Sequence, residues 1–351
     1  MSSDQTTEPT SHANKPIHRP ANQTGSQSAG HIPPEGLAVG VDLGGTNIQA
    51  GVIDPAGTVI ARGKVKTNAD DGQDAVIDRL EALIREVCDE AGVDAGRVAA
   101  LGVGVPGPTA PARGLLIEAV NLRWKEVPVA KILRDRIGPE VFIDNDVNVA
   151  VFGEARLGAG QNASNLMGCW VGTGIGAGLI LDGKIFYGSH HTAGEFGHMM
   201  LMANNAPGTR SVEHNCSRTA IVNRLIYLIR AGRPSMVPDL VDGKFHKIKS
   251  RTLSEAYAKG DELVVELIDD AAERLGSAIA GVVTLLSLER VVVGGGLVEA
   301  IGDPFVKRVA KAFRHDVFPA GLREVGVVES ALGDDAGLIG AGLIGLHRLG
   351  V

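Results

Sequence analysis

The chain has 351 residues, a hydrophobic fraction of 44% and a formal net charge of −7. That length can bury a large core and suits two domains. The acidic balance argues against a nucleic-acid surface, and no run is long or apolar enough to span a membrane.

Taken in order, residues 1–36 are rich in Ser, Thr, Asn, Gln, Pro and His and show no apolar periodicity, so a disordered polar tail is expected there. The stretch lacks the apolar core of a signal peptide and the Arg-rich amphipathic helix of a transit peptide. It also lacks the two amphipathic helices of a helix-turn-helix reader. The rest of the chain is organised around VGVDLGGTNIQAGV at residues 39–52. Leu37, Val39, Val41 and Leu43 alternate as in a strand, the run stops at Gly44-Gly45-Thr46-Asn47, and it resumes at Ile48, Ala50 and Val52. Such a hairpin leaves backbone N–H groups and the Thr46 hydroxyl as a nest for phosphate oxygens. Asp42, beside the turn, is placed to hold the magnesium that accompanies a nucleotide. Gly-Gly hairpins also occur in proteins that bind nothing.

Val59 to Lys66 supplies a third strand, and Asp74 to Ala91 an amphipathic helix with Val76, Ile77, Leu80, Leu83, Ile84 and Val87 on one face. Val98 to Val105 is the next strand, and the order so far is that of an α/β layer with a mixed sheet. Leu115 to Trp124 reads as a loop with Asn121-Leu122 partly exposed and Trp124 in the core. After a short helix at Lys131 to Ile137, the strand Val141-Phe142-Ile143 delivers Asp144-Asn145-Asp146 to its carboxyl end, where α/β sheets bind ligands. One of these three also suits the N-cap of the helix Val147 to Leu157.

The opening device then repeats. Met167 to Val171 is a strand that runs into Gly172-Thr173-Gly174-Ile175-Gly176-Ala177-Gly178, and strand resumes at Leu179. Two glycine turns with Thr, at the start of two successive half-chains, suggest a duplicated α/β fold with a cleft between the halves. Glu195 and His198 follow in an irregular segment, HHTAGEFGHMM, as a plausible substrate contact. Ser211 to Ile229 is an amphipathic helix, with Glu213 just ahead of it or in its first turn, where it also suits the helix dipole. Helices at Ser254 to Lys259 and Asp261 to Ser287 precede a buried strand that ends in Gly294-Gly295-Gly296, a third loop fit to pass under an adenosine. A helix (Pro304 to Arg314), a strand (Gly326 to Glu329) and a Gly/Ala-rich helix (Asp334 to Leu349) close the chain. The three cysteines, Cys88, Cys169 and Cys216, are too scattered for a disulfide framework, which suits a reducing compartment.

Over residues 37–349 the sequence resembles the ROK family of sugar kinases and repressors, within the actin-like/hexokinase ATPase fold. VGVDLGGTNIQAGV looks like the family's first phosphate loop, and VGVPGP with NLRW like its sugar-side loops. IDNDVNVAVFGE resembles the segment with the catalytic Asp, GTGIGAGLILDGKIFYGSHHTAGEFGHM the signature stretch, and VVVGGGL the adenosine-side loop. The resemblance implies a duplicated ribonuclease H-like fold. Its N-terminal domain would span 37–145, completed by the helix 334–349, and a larger C-terminal domain would span 146–333.

It further implies that Asp146 is the general base and that Asn121, Asn145, Glu195, His198 and Glu213 surround the sugar. Gly44, Gly45, Thr46, Asn47, Gly172, Thr173, Gly174 and Gly176 would hold phosphates, with Asp42 near magnesium and Gly294, Gly295 and Gly296 at the adenosine. Phosphoryl transfer needs positioning, a metal and a carboxylate within reach of the attacking hydroxyl. A neutral sugar is read by groups such as Asn, Asp, Glu and His.

The chain departs from the family in one respect. The structural zinc held by a His and three Cys lacks its cysteines here, since only Cys216 lies between His198 and Ser217. The zinc is expected to be absent, with His198, His214 and Cys216 as weak replacement ligands.

The expected activity is ATP-dependent phosphorylation of a hexose, glucose first, in a cytoplasmic homodimer. N-acetylmannosamine, N-acetylglucosamine or fructose are alternative substrates, polyphosphate an alternative donor, and a non-catalytic sugar sensor the alternative of another class.

Overall fold

The computed structural model describes residues 36–351. The expected disordered tail, Gly36 excepted, lies outside the described residues. Two five-stranded mixed sheets carry the fold, and they share one strand order. In the first, Val59–Lys66, Asn47–Ile53 and Ala38–Leu43 are antiparallel neighbours, and Ala100–Val105 and Glu140–Asn145 extend the sheet in parallel. In the second, Lys184–Ile185, Ile175–Leu181 and Leu166–Val171 are antiparallel, followed in parallel by Arg290–Gly294 and Gly326–Glu329. This is the duplicated α/β arrangement that the repeated glycine turns suggest.

Side-chain period explains how the first sheet is covered. Val39, Val41 and Leu43 share a core with Leu80, Leu83, Ile84 and Val87 of the helix Gln73–Glu90. Ala38, Gly40 and Asp42 point the other way, onto the helix Ala336–Leu349. That helix sits against backbone. A Cβ on Gly102 would lie 1.7 Å from the Ala341 carbonyl oxygen, and one on Gly340 would lie 1.8 Å from that of Val149 in the helix Asp146–Leu157. The Gly/Ala content of the closing helix is therefore a packing requirement on two sides.

The second sheet packs on the helix Glu262–Leu286, whose N-cap Asp261 accepts from the Val264 N–H. Glu154, fully buried at the end of the Asp146–Leu157 helix, ties the far end of the chain to it. Its carboxylate accepts from the Ser330 hydroxyl and from the N–H groups of Ala159, Ala331 and Leu332.

Three local expectations change. Leu115 to Trp124 is not a loop: Leu115–Ala119 and Trp124–Val127 are strands that form a small sheet with Thr109–Ala110. The left-handed Arg123 (φ 56°) makes the turn between them, and its polar Asn121-Leu122-Arg123 context hides two short strands from a periodicity reading. Trp124 is core, as its size suggests, whereas Leu122, expected to be partly exposed with Asn121, is buried in the core of the first sheet. The single helix at Ser211 to Ile229 is two, Val212–Cys216 and Arg218–Arg230. Ser217 breaks it by adopting an extended backbone and capping the second piece through Ala220 N–H. The strand after the second glycine turn begins at Ile175, so Gly176 is paired opposite Trp170 inside the strand rather than in the turn. Among the described residues no helix is long and apolar enough to cross a membrane.

Candidate active site

Asp146 opens a helix at the carboxyl end of a parallel strand. The preceding Asn145 is the N-cap, its side-chain oxygen accepting from the N–H groups of Val147 and Asn148 at 3.0 and 3.1 Å. Its amide nitrogen donates to Asp146 Oδ1 at 2.9 Å and to the Gly107 carbonyl at 3.2 Å. Asp146 Oδ1 also accepts from the Val147 N–H at 2.9 Å. Asn145 is thus engaged at every polar position, and what it fixes is the direction of the Asp146 carboxylate. Loss of hydration in the cleft, and then the negative charge of Asp42, push Asp146 up to about 7, against the hydrogen bonds that stabilise its anion, those from the Val147 N–H and Asn145 foremost. A carboxylate tuned to that range is a proton acceptor at neutral pH.

On one side of Asp146 lies a cavity of about 480 Å³ whose walls come from both halves of the chain. Asn121 and Asn145 line it from the first half, and Glu195, His198 and Glu213 from the second. The local sequence explains the last three. Phe196–His198 is one turn of 3-10 helix, in which positions three apart eclipse. Phe196 enters the core, so Glu195 and His198 share the open side, with His198 Nε2 at 3.8 Å from Glu195 Oε2. Glu213, in the first turn of its short helix, accepts the Ile175 N–H at 2.8 Å. A Cβ on Gly174 would lie 2.3 Å from that carboxylate, so the glycine turn also makes room for Glu213.

On the other side, Asp146 borders a second, smaller cavity of about 180 Å³ lined by Asp42, Gln49, Glu299 and Asp334. Trp170, Val147, Gly295 and Gly296 are common to both cavities. Burial, and then the charge of Asp334, push Asp42 up to about 6, while Lys64 draws it down. Burial and Asp334 likewise push Glu299 up to about 7. Crowded carboxyls of this kind are hard oxygen donors that gain from a cation. Among the described residues no three His, Cys, Asp or Glu side chains are gathered closely enough to hold a metal alone. The donors fit a divalent ion that brings its own phosphate ligands, with Asp42 as the protein's contribution.

Several expected residues fall outside these walls. Gly44, Gly45, Thr46 and Asn47 form the expected hairpin, closed by Gly44 N–H to the Asn47 carbonyl at 3.0 Å, and abut the cavity only through Gly45 against Asn121. Gly172 and Gly174 line the larger cavity, whereas the Thr173 hydroxyl accepts from Arg218 at 2.6 Å and is turned to that partner. Gly294 packs between Trp170 and Ser330, leaving Gly295 and Gly296 to face the space. Gly176 lines the larger cavity as well, but from inside a strand and against Val147, where a Cβ would come within 2.6 Å.

The replacement zinc ligands do not converge. Cys216 is buried in the core, His214 Nδ1 is 2.8 Å from the Ser211 hydroxyl, and His198 stands exposed in the cavity. Sequence reasoning missed Asn148, Trp170, Glu299 and Asp334. Asn148 alone carried a local signal, lying two residues beyond Asp146 in the same polar cluster.

A model of the ROK family matches residues 38–347. The glucokinase of Thermotoga maritima is 31% identical over 317 residues, which covers 89% of this chain and 98% of that protein. The crystal structure of a ROK family glucokinase from Streptomyces griseus in complex with glucose and AMPPNP superposes with a TM-score of 0.79 at 29% identity, covering 89% of this chain and 100% of the other. The xylose repressor of Caldicellulosiruptor bescii is 25% identical over 315 residues, which is 87% of this chain and 77% of the repressor.

Proposed function

The chain belongs to the ROK family, and we propose that it is an ATP-dependent hexose kinase that converts glucose to glucose 6-phosphate. One observation carries the reading: Asp146 stands where the larger, hydroxyl-reading cavity meets the smaller, acidic one. A sugar in the first and a nucleotide's phosphates in the second would meet at the group with the tuned proton affinity. The glucokinase relatives and the glucose and AMPPNP complex of the Streptomyces griseus protein support the same pair of substrates.

In this reading the Asp146 carboxylate takes the proton of the 6-hydroxyl as its oxygen attacks the γ-phosphorus of ATP. Asn145 and the Val147 N–H keep the carboxylate aimed at the hydroxyl. Asn121, Glu195, His198 and Glu213 orient the ring by exchanging hydrogen bonds with its hydroxyls, and each one made only with the correct sugar adds discrimination. The turns at Gly44–Asn47 and Gly172–Gly174 join equivalent strands of two equivalent sheets, which supports their pairing as phosphate loops, with Gly295 and Gly296 beside the adenosine. Magnesium held by Asp42 and the phosphates would supply charge neutralisation on the transferring group. Closure of the 37–145 part (with the helix 334–349) upon the 146–333 part would exclude water as a competing acceptor.

A cytoplasmic homodimer completes the proposal. ATP supplies the location, and the three cysteines, all buried as free thiols, suit a reducing compartment. Size-exclusion chromatography with light scattering tests the dimer.

The deciding experiment is coupled ADP release with ATP, magnesium and a panel of hexoses and N-acetylhexosamines, repeated with polyphosphate. Strong turnover on glucose is expected. Turnover confined to N-acetylmannosamine, N-acetylglucosamine or fructose moves the substrate within the family. Sugar binding by calorimetry without turnover on either donor replaces the kinase with a sugar sensor, the role that the repressor relative's name points to.

A further inference from the structure

Among the described residues that are not glycine, eight have a positive φ: Asn68, Arg123, Glu126, Asn162, Asp182, His191, Asp242 and Ser287. Only His191, at φ 56°, also lines the larger cavity. It stands at the tip of a turn between Gly188 (φ 68°) and Gly194 (φ 95°), its N–H directed at the Gly188 carbonyl at 3.4 Å. The left-handed region favours glycine and disfavours any residue with a Cβ. The loop therefore has glycine on either side, yet carries an imidazole at the position that faces the cavity.

Two further observations give the ring a task. Its nitrogens make no hydrogen bond within the described residues. It also leans on a fixed partner: the Tyr187 ring is 6.1 Å away, tilted by 54°. The Tyr187 hydroxyl donates to buried Asp144 at 2.5 Å and accepts from Arg348 at 2.8 Å. An anchored aromatic thus supports a polar head that has no protein partner, on the wall opposite Asn121 and Asn145 in sequence origin.

We propose that His191 is a specificity-determining residue of the sugar cavity, its imidazole hydrogen-bonding one hydroxyl of the bound aldohexose. The inference rests on the kinase reading above, because that reading supplies the sugar. A site whose polar group is matched by a ligand hydroxyl discriminates against the analogue that lacks it. The backbone strain at the tip is then tolerated for the contact, as at other ligand-facing outliers.

The test is calorimetric titration of glucose and its monodeoxy analogues into the wild-type protein, His191→Gly and His191→Asn. Glycine suits the backbone, so His191→Gly is expected to melt at or above the wild-type temperature while its glucose affinity falls about 3- to 10-fold. One deoxyglucose should bind wild type and His191→Gly equally, because the lost partner is the same hydrogen bond seen from its two ends. Asn, which tolerates the left-handed region and keeps a polar head, should restore part of the affinity. Glucose affinity within twofold of wild type in His191→Gly, or an equal loss for glucose and every deoxy analogue, overturns the proposal. Wild-type protein that neither binds nor phosphorylates glucose overturns the kinase reading for glucose and this inference with it. Wild-type turnover with an unchanged His191→Gly overturns this inference alone.

Discussion

The guanidinium of Arg348 lies 2.6 Å from the carboxylate of Asp144, a side chain with no solvent exposure. The same oxygen accepts from Tyr187, while the other takes the Asn145 N–H at 2.9 Å and the Asn148 amide at 3.1 Å. Arg348 also donates to the Ile143 carbonyl. Asp144 is two residues ahead of the proposed base, so this network fixes the strand end from which Asp146 projects. It joins the first sheet, the closing helix and the segment that follows Lys184–Ile185.

Removing one partner of a buried ion pair leaves the other charged and unsolvated. Arg348→Met is expected to destabilise the fold by about 3–5 kcal/mol. Asp144→Asn/Arg348→Met should recover part of that loss, because no bare charge remains. Urea unfolding of the two singles and the double measures the coupling, and strictly additive effects would show that the pair does not act as a unit.

Asp146→Asn keeps an acceptor oxygen for the Val147 N–H and removes the basic site. Turnover in the ADP-release assay should fall about 10²- to 10⁴-fold, with sugar affinity by calorimetry within a few-fold of wild type. Activity near the wild-type level would remove Asp146 from the role of base.

The raised proton affinity of Asp146 has two signs to check. The base must be ionised, so kcat/KM should climb with pH, reach half its plateau near pH 7 and stay level above it, with Asp42 at about 6 steepening the acid side. Stability runs the other way. Between the ordinary 3.8 and about 7, the folded protein retains a proton that the unfolded chain has lost, so this group's contribution declines as pH rises through that window. Asp146→Asn should therefore melt above wild type at about pH 8, with the gap closing towards pH 4. A gap independent of pH would contradict the assignment.

Dialysis against a chelator should leave the melting temperature unchanged, because the three potential zinc ligands do not converge. The same treatment should abolish phosphoryl transfer until magnesium is restored. Elemental analysis of protein purified without chelator should give well under one equivalent of zinc, and a full equivalent would require a ligand set other than the one outlined.

What sequence made legible was local in origin. The Leu37–Leu43 alternation, the two glycine turns and the Asp144-Asn145-Asp146 cluster at a strand end are each contained in a few consecutive residues, and they locate both sheets and the proposed base. Ser217 shows the limit of periodicity: its helix-breaking backbone is fixed by capping, while the apolar spacing on either side runs on as if continuous. Asp42, Glu299 and Asp334 meet only because the first strand, the helix Gly296–Ile301 after the third glycine loop and the turn Gly333–Asp335 before the closing helix converge. The Tyr187–Asp144–Arg348 network spans separations of 43 and 204 residues, and no short pattern announces it. Glu195 and His198 were legible as a pair, while the imidazole of His191 was hidden by needing a backbone angle to be noticed.

The glycine-seated helix Ala336–Leu349 also sets the order of events during synthesis. The first sheet has all its strands once Asn145 is made, but the face bearing Ala38, Gly40 and Gly102 is covered only about 190 residues later. At about 5–20 residues per second on the ribosome, that face stays bare for roughly 10–40 s. For that interval the nascent chain carries a paired but half-covered sheet, a surface for chaperones to shield. Its first half becomes native only after the second has been translated.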